Sequence, residues 1–165
     1  MSARRPLSLE VNGRPVQAWV APHQSLLDVL RTEAGATEVK LGCGEGVCGT
    51  CTVLLDGEPV NACLIFAVQA EGCAVTTVRG LNGDGDGGLH PLQRSFLDHN
   101  GAQCGFCTPG MILTAEWYLD RHPDAGREEL RAALSGNLCR CTGYTKILDA
   151  VEAYRDARGE AADGG

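Results

Sequence analysis

The sequence contains no run of about twenty apolar residues, so no membrane-spanning helix is expected. It has no basic excess either: its formal net charge is -7. That argues against a nucleic-acid role, which normally leaves a basic patch. An acidic surface suits solubility or docking to a basic face of a partner. The opening MSARRPLSLEVNG has two arginines but no apolar stretch behind them, so it does not read as a signal peptide. A cytoplasmic location is therefore expected, with a periplasmic one only if the chain is exported with a partner that carries the signal. Hydrophobic residues make up 44% and charged residues 21% of 165 positions. This is the composition of a folded chain, with room for one ordinary domain or two small ones.

What is abundant is cysteine. The chain has nine, and in a reducing compartment patterned cysteines more often bind metal than form disulfides. The odd count also fits poorly with a fully paired disulfide framework.

The first eighty residues read mainly as strands. Leu7, Leu9 and Val11 alternate with polar residues, Asn12-Gly13 turns the chain, and Val16, Ala18 and Val20 alternate again. Ser25 to about Glu33 reads as a helix with Leu26, Leu27 and Leu30 on one face. Thr52–Leu55 is a short strand, Asp56-Gly57 turns it toward Val60, and Ala74–Val78 is a last strand. A small mixed sheet covered on one face by the helix is expected. Residues 82–88, NGDGDGG, read as a flexible linker and the domain boundary, because neither a strand-to-helix context nor a P-loop lysine supports a nucleotide loop. Beyond it four helices are predicted. Pro91 opens the first, with Leu92, Phe96 and Leu97 facing inward. Thr108-Pro109 opens the second, Arg127–Ser135 form the third, and Ile147, Leu148, Val151 and Tyr154 mark the fourth. Short connections suggest a bundle. The charged, glycine-rich tail after Tyr154 reads as disordered.

Cys43, Cys48 and Cys51 have the C-x4-C-x2-C spacing, and Cys63 follows after eleven residues. This is the plant-type 2Fe–2S pattern. Thiolates must converge on two irons, so the backbone has to curl around them, and Gly42, Gly44, Gly46 and Gly49 allow it to. Backbone amides in the same loop can point at the sulfides and tune the potential. Zinc is the competing reading, but zinc knuckles usually use paired C-x2-C units and this segment has one. A second set comprises Cys104 and Cys107 (C-x2-C) and, after thirty-one intervening residues, Cys139 and Cys141 (C-x-C). Each pair falls just before a predicted helix, whose positive N-terminal end favours an anionic thiolate site. Spacing alone leaves both zinc and iron–sulfur open here. A thioredoxin-like dithiol is disfavoured because no βαβ context surrounds Cys104.

Three segments occur in order: Gly42–Cys51 (GCGEGVCGTC), Gln103–Met111 (QCGFCTPGM) and Gly136–Tyr144 (GNLCRCTGY). Together they resemble the iron–sulfur small subunit of the xanthine oxidase family of molybdenum hydroxylases, over about residues 6–157. The resemblance implies an α+β chain. Residues 1–81 would form a β-grasp ferredoxin-like domain, 82–88 a linker, and 89–165 a four-helix bundle with the tail. It implies two 2Fe–2S clusters, one on Cys43, Cys48, Cys51 and Cys63, the other on Cys104, Cys107, Cys139 and Cys141. The second would lie near a molybdopterin held by a large catalytic subunit, with Gln103 bonding the pterin and Cys141 close to its amine. The first would pass electrons on to FAD on a medium subunit. Two departures bear on docking: Arg79 stands where the family usually has an acidic residue, and the linker is slightly extended.

The implied function is electron transfer. Single electrons would move from the molybdenum centre through both clusters to FAD or another acceptor, with no catalytic acid, base or nucleophile in this chain. The rivals are a free electron carrier and a structural zinc protein. Cys73 belongs to neither set and reads as a buried small hydrophobe. His23, His90, His99 and His122 read as solvated or capping residues, and Trp117 and Tyr118 as core or interface residues. Arg140, between two cysteines, could offset cluster charge or bind a partner.

Overall fold

A computed structural model describes residues 3–82 and 88–163, with side chains as far as residue 160. The N-terminal unit is a five-stranded mixed sheet. Strand β1 (Arg5–Val11) and β2 (Arg14–Val20) form an antiparallel hairpin, and Asn12 and Gly13 both take positive φ at its turn. Strand β3 (Thr52–Leu55) and β4 (Glu58–Asn61) form a second one, turned at Asp56 and Gly57. Strand β5 (Ala74–Thr76) joins them, parallel to β1 and antiparallel to β3, in the order β2-β1-β5-β3-β4. It ends at Thr76, short of the expected Val78, because the Thr77 amide leaves the ladder to donate to Asn12 Oδ1.

Helix α1 (Leu26–Thr32) lies over one face of the sheet. Ser25 caps it by accepting from the Asp28 amide. Leu26, Leu27, Val29 and Leu30 join Leu7, Leu9, Val11, Val20, Val53 and Val75 in one buried core. The alternation of β1 puts its polar residues outside.

Four helices follow: α2 (Pro91–Asp98), α3 (Thr108–Arg121), α4 (Arg127–Ala133) and α5 (Thr145–Asp163). They share a second core built on Phe96, Met111, Leu119, Leu130, Ile147 and Val151. Helix α3 is buried from Gly110 through Glu116 because it serves two neighbours. One side faces the other helices and the other packs on β3 and β4. Arg121 lies over the Trp117 ring and reaches Glu58 of β4, tying the two units at their edge.

Several expectations are corrected. Leu97 points outward, 56% exposed. The third helix stops at Ala133 and a single 3-10 turn, Leu134–Gly136, completes it. The tail after Tyr154 is not free chain but the continuation of α5. Arg155 donates to the Ala125 carbonyl, and Arg158 reaches Glu116 and Asp120, which hold the extra turns down. Cys73 is half-buried at the turn before β5, outside the core, because the chain reverses at Gly72. Most of the linker read at 82–88, and Gly164-Gly165 of the tail, lie outside the described residues. Among the described residues no helix is long and apolar enough to cross a membrane.

Candidate metal centres

The first cysteine loop runs from the end of α1 into β3. Cys43 is exposed, Cys48 and Cys63 are half-buried and Cys51 is buried at the start of the sheet. The amides of Glu45 and Val47 both lie 3.4 Å from Cys43 Sγ, so the loop already directs donors at a sulfur. The Glu45 amide above all, then the amide and thiol of Cys48 and the Val47 amide, lower the Cys43 pKa to about 6. Burial does the opposite for Cys51, which is pushed up to about 11, and the neighbouring Cys63 thiol adds to the rise. Cys43 thus interacts with Cys48, and Cys51 chiefly with Cys63 and more weakly with Cys48.

The second set sits where the loops before α3 and α5 meet. Cys104 and Cys141 are exposed, and their Sγ atoms are 3.6 Å apart. Cys107, buried, faces half-buried Cys139. Burial raises the Cys107 thiol to about 12, with Cys139 contributing. At Cys139 burial also acts upward, but the hydroxyl and amide of Thr142, 3.1 and 3.4 Å from its sulfur, together with the Cys141 amide and the Cys107 thiol outweigh it and the pKa is lowered. Each set therefore has an outer, more exposed thiol pair or member and an inner, buried one. A buried thiol with a raised pKa loses its proton readily only when a metal takes its place.

The loop carrying Cys139 and Cys141 is held by Tyr144. Its hydroxyl accepts from the Cys139 amide at 2.9 Å and donates to the Asn137 carbonyl at 3.2 Å. Tyr144 adopts φ +69°, a left-handed conformation uncommon outside glycine. Such strain persists where the surroundings over-determine it, as these bonds do.

The eight thiols are grouped two by two. A mononuclear zinc site draws four donors to one centre about 2.3 Å away. A binuclear cluster spreads them, two thiolates per iron with sulfides between. The arrangement fits the binuclear group.

Comparison with known proteins agrees. A 2Fe-2S iron-sulfur cluster binding domain matches residues 9–72, and a [2Fe-2S] binding domain matches residues 77–152. The small FeS subunit of nicotinate dehydrogenase from Eubacterium barkeri is 49% identical over 145 residues, covering 88% of this chain and 91% of that protein. The chain belongs to the iron–sulfur small subunits of the xanthine oxidase family. In the crystal structure of quinoline 2-oxidoreductase from Pseudomonas putida 86, one chain matches this subunit with a TM-score of 0.88 and 47% identity, over 96% of this chain and 98% of that one. The aldehyde oxidoreductase of Desulfovibrio desulfuricans matches with a TM-score of 0.86 and 44% identity, over 97% of this subunit but only 18% of that much longer chain. The subunit has two 2Fe–2S binding domains and is an electron-transfer component of an oxidoreductase.

All nine cysteines of the subunit are free thiols. Gln103 is exposed next to exposed Cys104, and Arg140 is exposed between Cys139 and Cys141. His90 caps α2 by accepting from the Leu92 amide, and His99 closes it. Arg79 forms an ion pair with Glu38 at 3.7 Å while staying largely exposed.

Sequence reading missed three residues that shape the subunit. Asn137 is buried, and its side chain bonds to the first cysteine loop. Tyr144 pins the second. Glu116 lies on the buried face of α3, where Tyr154 donates to it at 3.0 Å and Arg158 at 3.3 Å. Asn137 and Tyr144 belong to the Gly136–Tyr144 segment, whose length beyond the two cysteines was the available signal.

Proposed function

We propose that Cys43, Cys48, Cys51 and Cys63 hold one 2Fe–2S cluster, and that Cys104, Cys107, Cys139 and Cys141 hold the other. The subunit then relays single electrons from the molybdopterin centre of a large catalytic subunit to FAD on a medium subunit or to another acceptor. The observation that carries this reading is the pairing of thiols in two places, Cys43 with Cys48 and Cys51 with Cys63 in one, Cys107 with Cys139 and Cys104 with Cys141, 3.6 Å apart, in the other. When bound, each cluster accepts and releases one electron.

The chain's own residues do the rest. Glu45 and Val47 present amides to Cys43, and Thr142 presents its hydroxyl and amide to Cys139, so both sites offer donors that stabilise negative charge on sulfur. The buried inner thiols, Cys51 and Cys107, keep bulk water from one side of each site. Exposed Gln103 and Cys141 meet the molybdopterin, and exposed Cys43 marks the face turned toward the acceptor. The apolar side chains of Val47 and Leu64, both more than half exposed beside that loop, suit a partner surface there.

In this reading residues 1–81 are a β-grasp ferredoxin-like domain, 82–88 a linker and 89–165 a helical domain arranged as a four-helix bundle. The two separate cores support that division. The complex is hetero-oligomeric and cytoplasmic. Native purification, with masses of the co-purifying chains and assays for molybdenum, iron and flavin, tests the reading. A large molybdenum-containing partner is expected. A stable brown monomer without molybdenum would make the chain a free carrier and remove the role of Gln103.

A further inference from the structure

The two cysteine sites are joined by a short buried seam with Asn137 at its centre. Asn137 is 4% exposed, and its Nδ2 donates to the Gly49 carbonyl at 2.9 Å and to Thr52 Oγ1 at 3.3 Å. The next residue, Leu138, donates its amide to the Cys48 carbonyl at 2.8 Å. Gly49 stands between Cys48 and Cys51 of one set, and Leu138 immediately precedes Cys139 of the other. The other half of the second set reaches the same point through Gly110, three residues after Cys107. A Cβ on Gly110 would meet the Gly49 oxygen at 2.6 Å. Gly49 has φ +65°, and a Cβ there would fall on the Gly136 carbonyl. Three chain segments, each carrying thiols, thus close on one carbonyl with no room for a side chain.

This is more than the fold needs at that point. The Gly49 carbonyl is already satisfied by the amide and hydroxyl of Thr52, at 3.1 and 2.6 Å. A third donor, supplied from 88 residues away, adds fixed geometry between the loops rather than a missing hydrogen bond. An amide is suited to this. Its two Nδ2 hydrogens can serve two acceptors at once, and it carries no charge that would shift the potential of either neighbour.

We propose that Asn137 is a positioning residue that locks the two cysteine loops into one rigid unit and so sets the separation of the two redox sites. The proposal rests on the assignment of both cysteine sets to clusters. Electron transfer between two centres depends steeply on their distance, so a seam that removes relative motion fixes the internal rate of the relay.

The test uses the full chain carrying both clusters, in its native complex. Asn137→Ala deletes the bridging donor while Thr52 still serves Gly49. Gly110→Ala wedges the same seam from α3 while keeping the Asn137 amide, its Cβ meeting the Gly49 oxygen at 2.6 Å and Asn137 Nδ2 at 3.0 Å. Electron paramagnetic resonance of the fully reduced protein reads the magnetic splitting between the two centres. Hydrogen exchange reads the Leu138 amide. Both variants are expected to keep their iron and sulfide, show a weaker or heterogeneous splitting and exchange the Leu138 amide at least tenfold faster. Unchanged splitting and exchange at full cluster content would overturn the proposal. So would loss of one cluster in both variants, since Asn137 would then hold a site and not a distance. Failure of the underlying assignment is distinguishable, because the parent protein itself would lack two reducible centres.

Discussion

The amide of Leu138 donates to the carbonyl of Cys48 across 2.8 Å. One residue further on the chain reaches Cys139, so a single backbone hydrogen bond nearly connects a thiol of one set to a thiol of the other. The two units meet at their cysteine loops, and disturbing one loop there is expected to be felt at the other.

Gly49→Ala is the severest single change expected at this junction. It strains a left-handed residue, which costs of order 1–3 kcal/mol, and drives a methyl group into the Gly136 carbonyl. The variant should lose iron from both sites when expressed. Iron and acid-labile sulfide analysis checks this, and full loading would mean that the seam yields more easily than its packing implies.

Cys107→Ser and Cys48→Ser should act separately on the two sites. Each removes one thiol from one set, so iron content should fall by about half, with one resonance signal lost and the other kept. Loss of the same signal in both variants would mean that the sets are wrongly divided.

Tyr144→Phe removes only a hydroxyl, yet that oxygen bonds both the Cys139 amide and the Asn137 carbonyl. Two half-buried backbone groups lose their partner, a cost of about 1–3 kcal/mol. The visible absorption of the second site should bleach several degrees earlier on heating than in the parent. An unchanged bleaching temperature would show that water replaces the hydroxyl without loss.

Glu116 makes a pH prediction with a sign opposite to that of most carboxylates. Burial raises its pKa in the folded state, although the Tyr154 hydroxyl, His90 and Arg158 pull it the other way and Asp120 adds to the rise. A raised folded value means that this residue's contribution to stability is full below its unfolded pKa and is lost as pH climbs through the folded one. Glu116→Gln imitates the protonated form and keeps an acceptor for Tyr154. The variant should remove that loss, so denaturant unfolding across mildly acidic to neutral pH should vary less than in the parent. An equal or steeper fall would show that the Arg158 pair outweighs the burial.

Much of this architecture was legible because it rests on local patterns. Leu7, Leu9 and Val11 announce a half-buried strand, Asn12-Gly13 and Asp56-Gly57 announce hairpins, and the glycines around Cys43 to Cys51 announce a loop that must curl tightly. The seam was not legible. Asn137 acts on a backbone carbonyl 88 positions earlier, and side-chain identity carries no information about which distant carbonyl it will meet. The last turns of α5 were obscured for a related reason. Their composition is that of a free tail, and it is the bond of Arg155 to the Ala125 carbonyl and the ion pairs of Arg158 with Glu116 and Asp120 on α3 that give them a surface to rest on. Leu97 followed the helical period but fell just beyond the buried stripe.

The most direct test is electron paramagnetic resonance of the native protein reduced with dithionite, together with iron and acid-labile sulfide counted per chain. Two distinguishable signals are expected, with two irons and two sulfides for each of the two domains that match 2Fe–2S binding families. A single signal, or metal that proves to be zinc at Cys104, Cys107, Cys139 and Cys141, would contradict the two-centre relay.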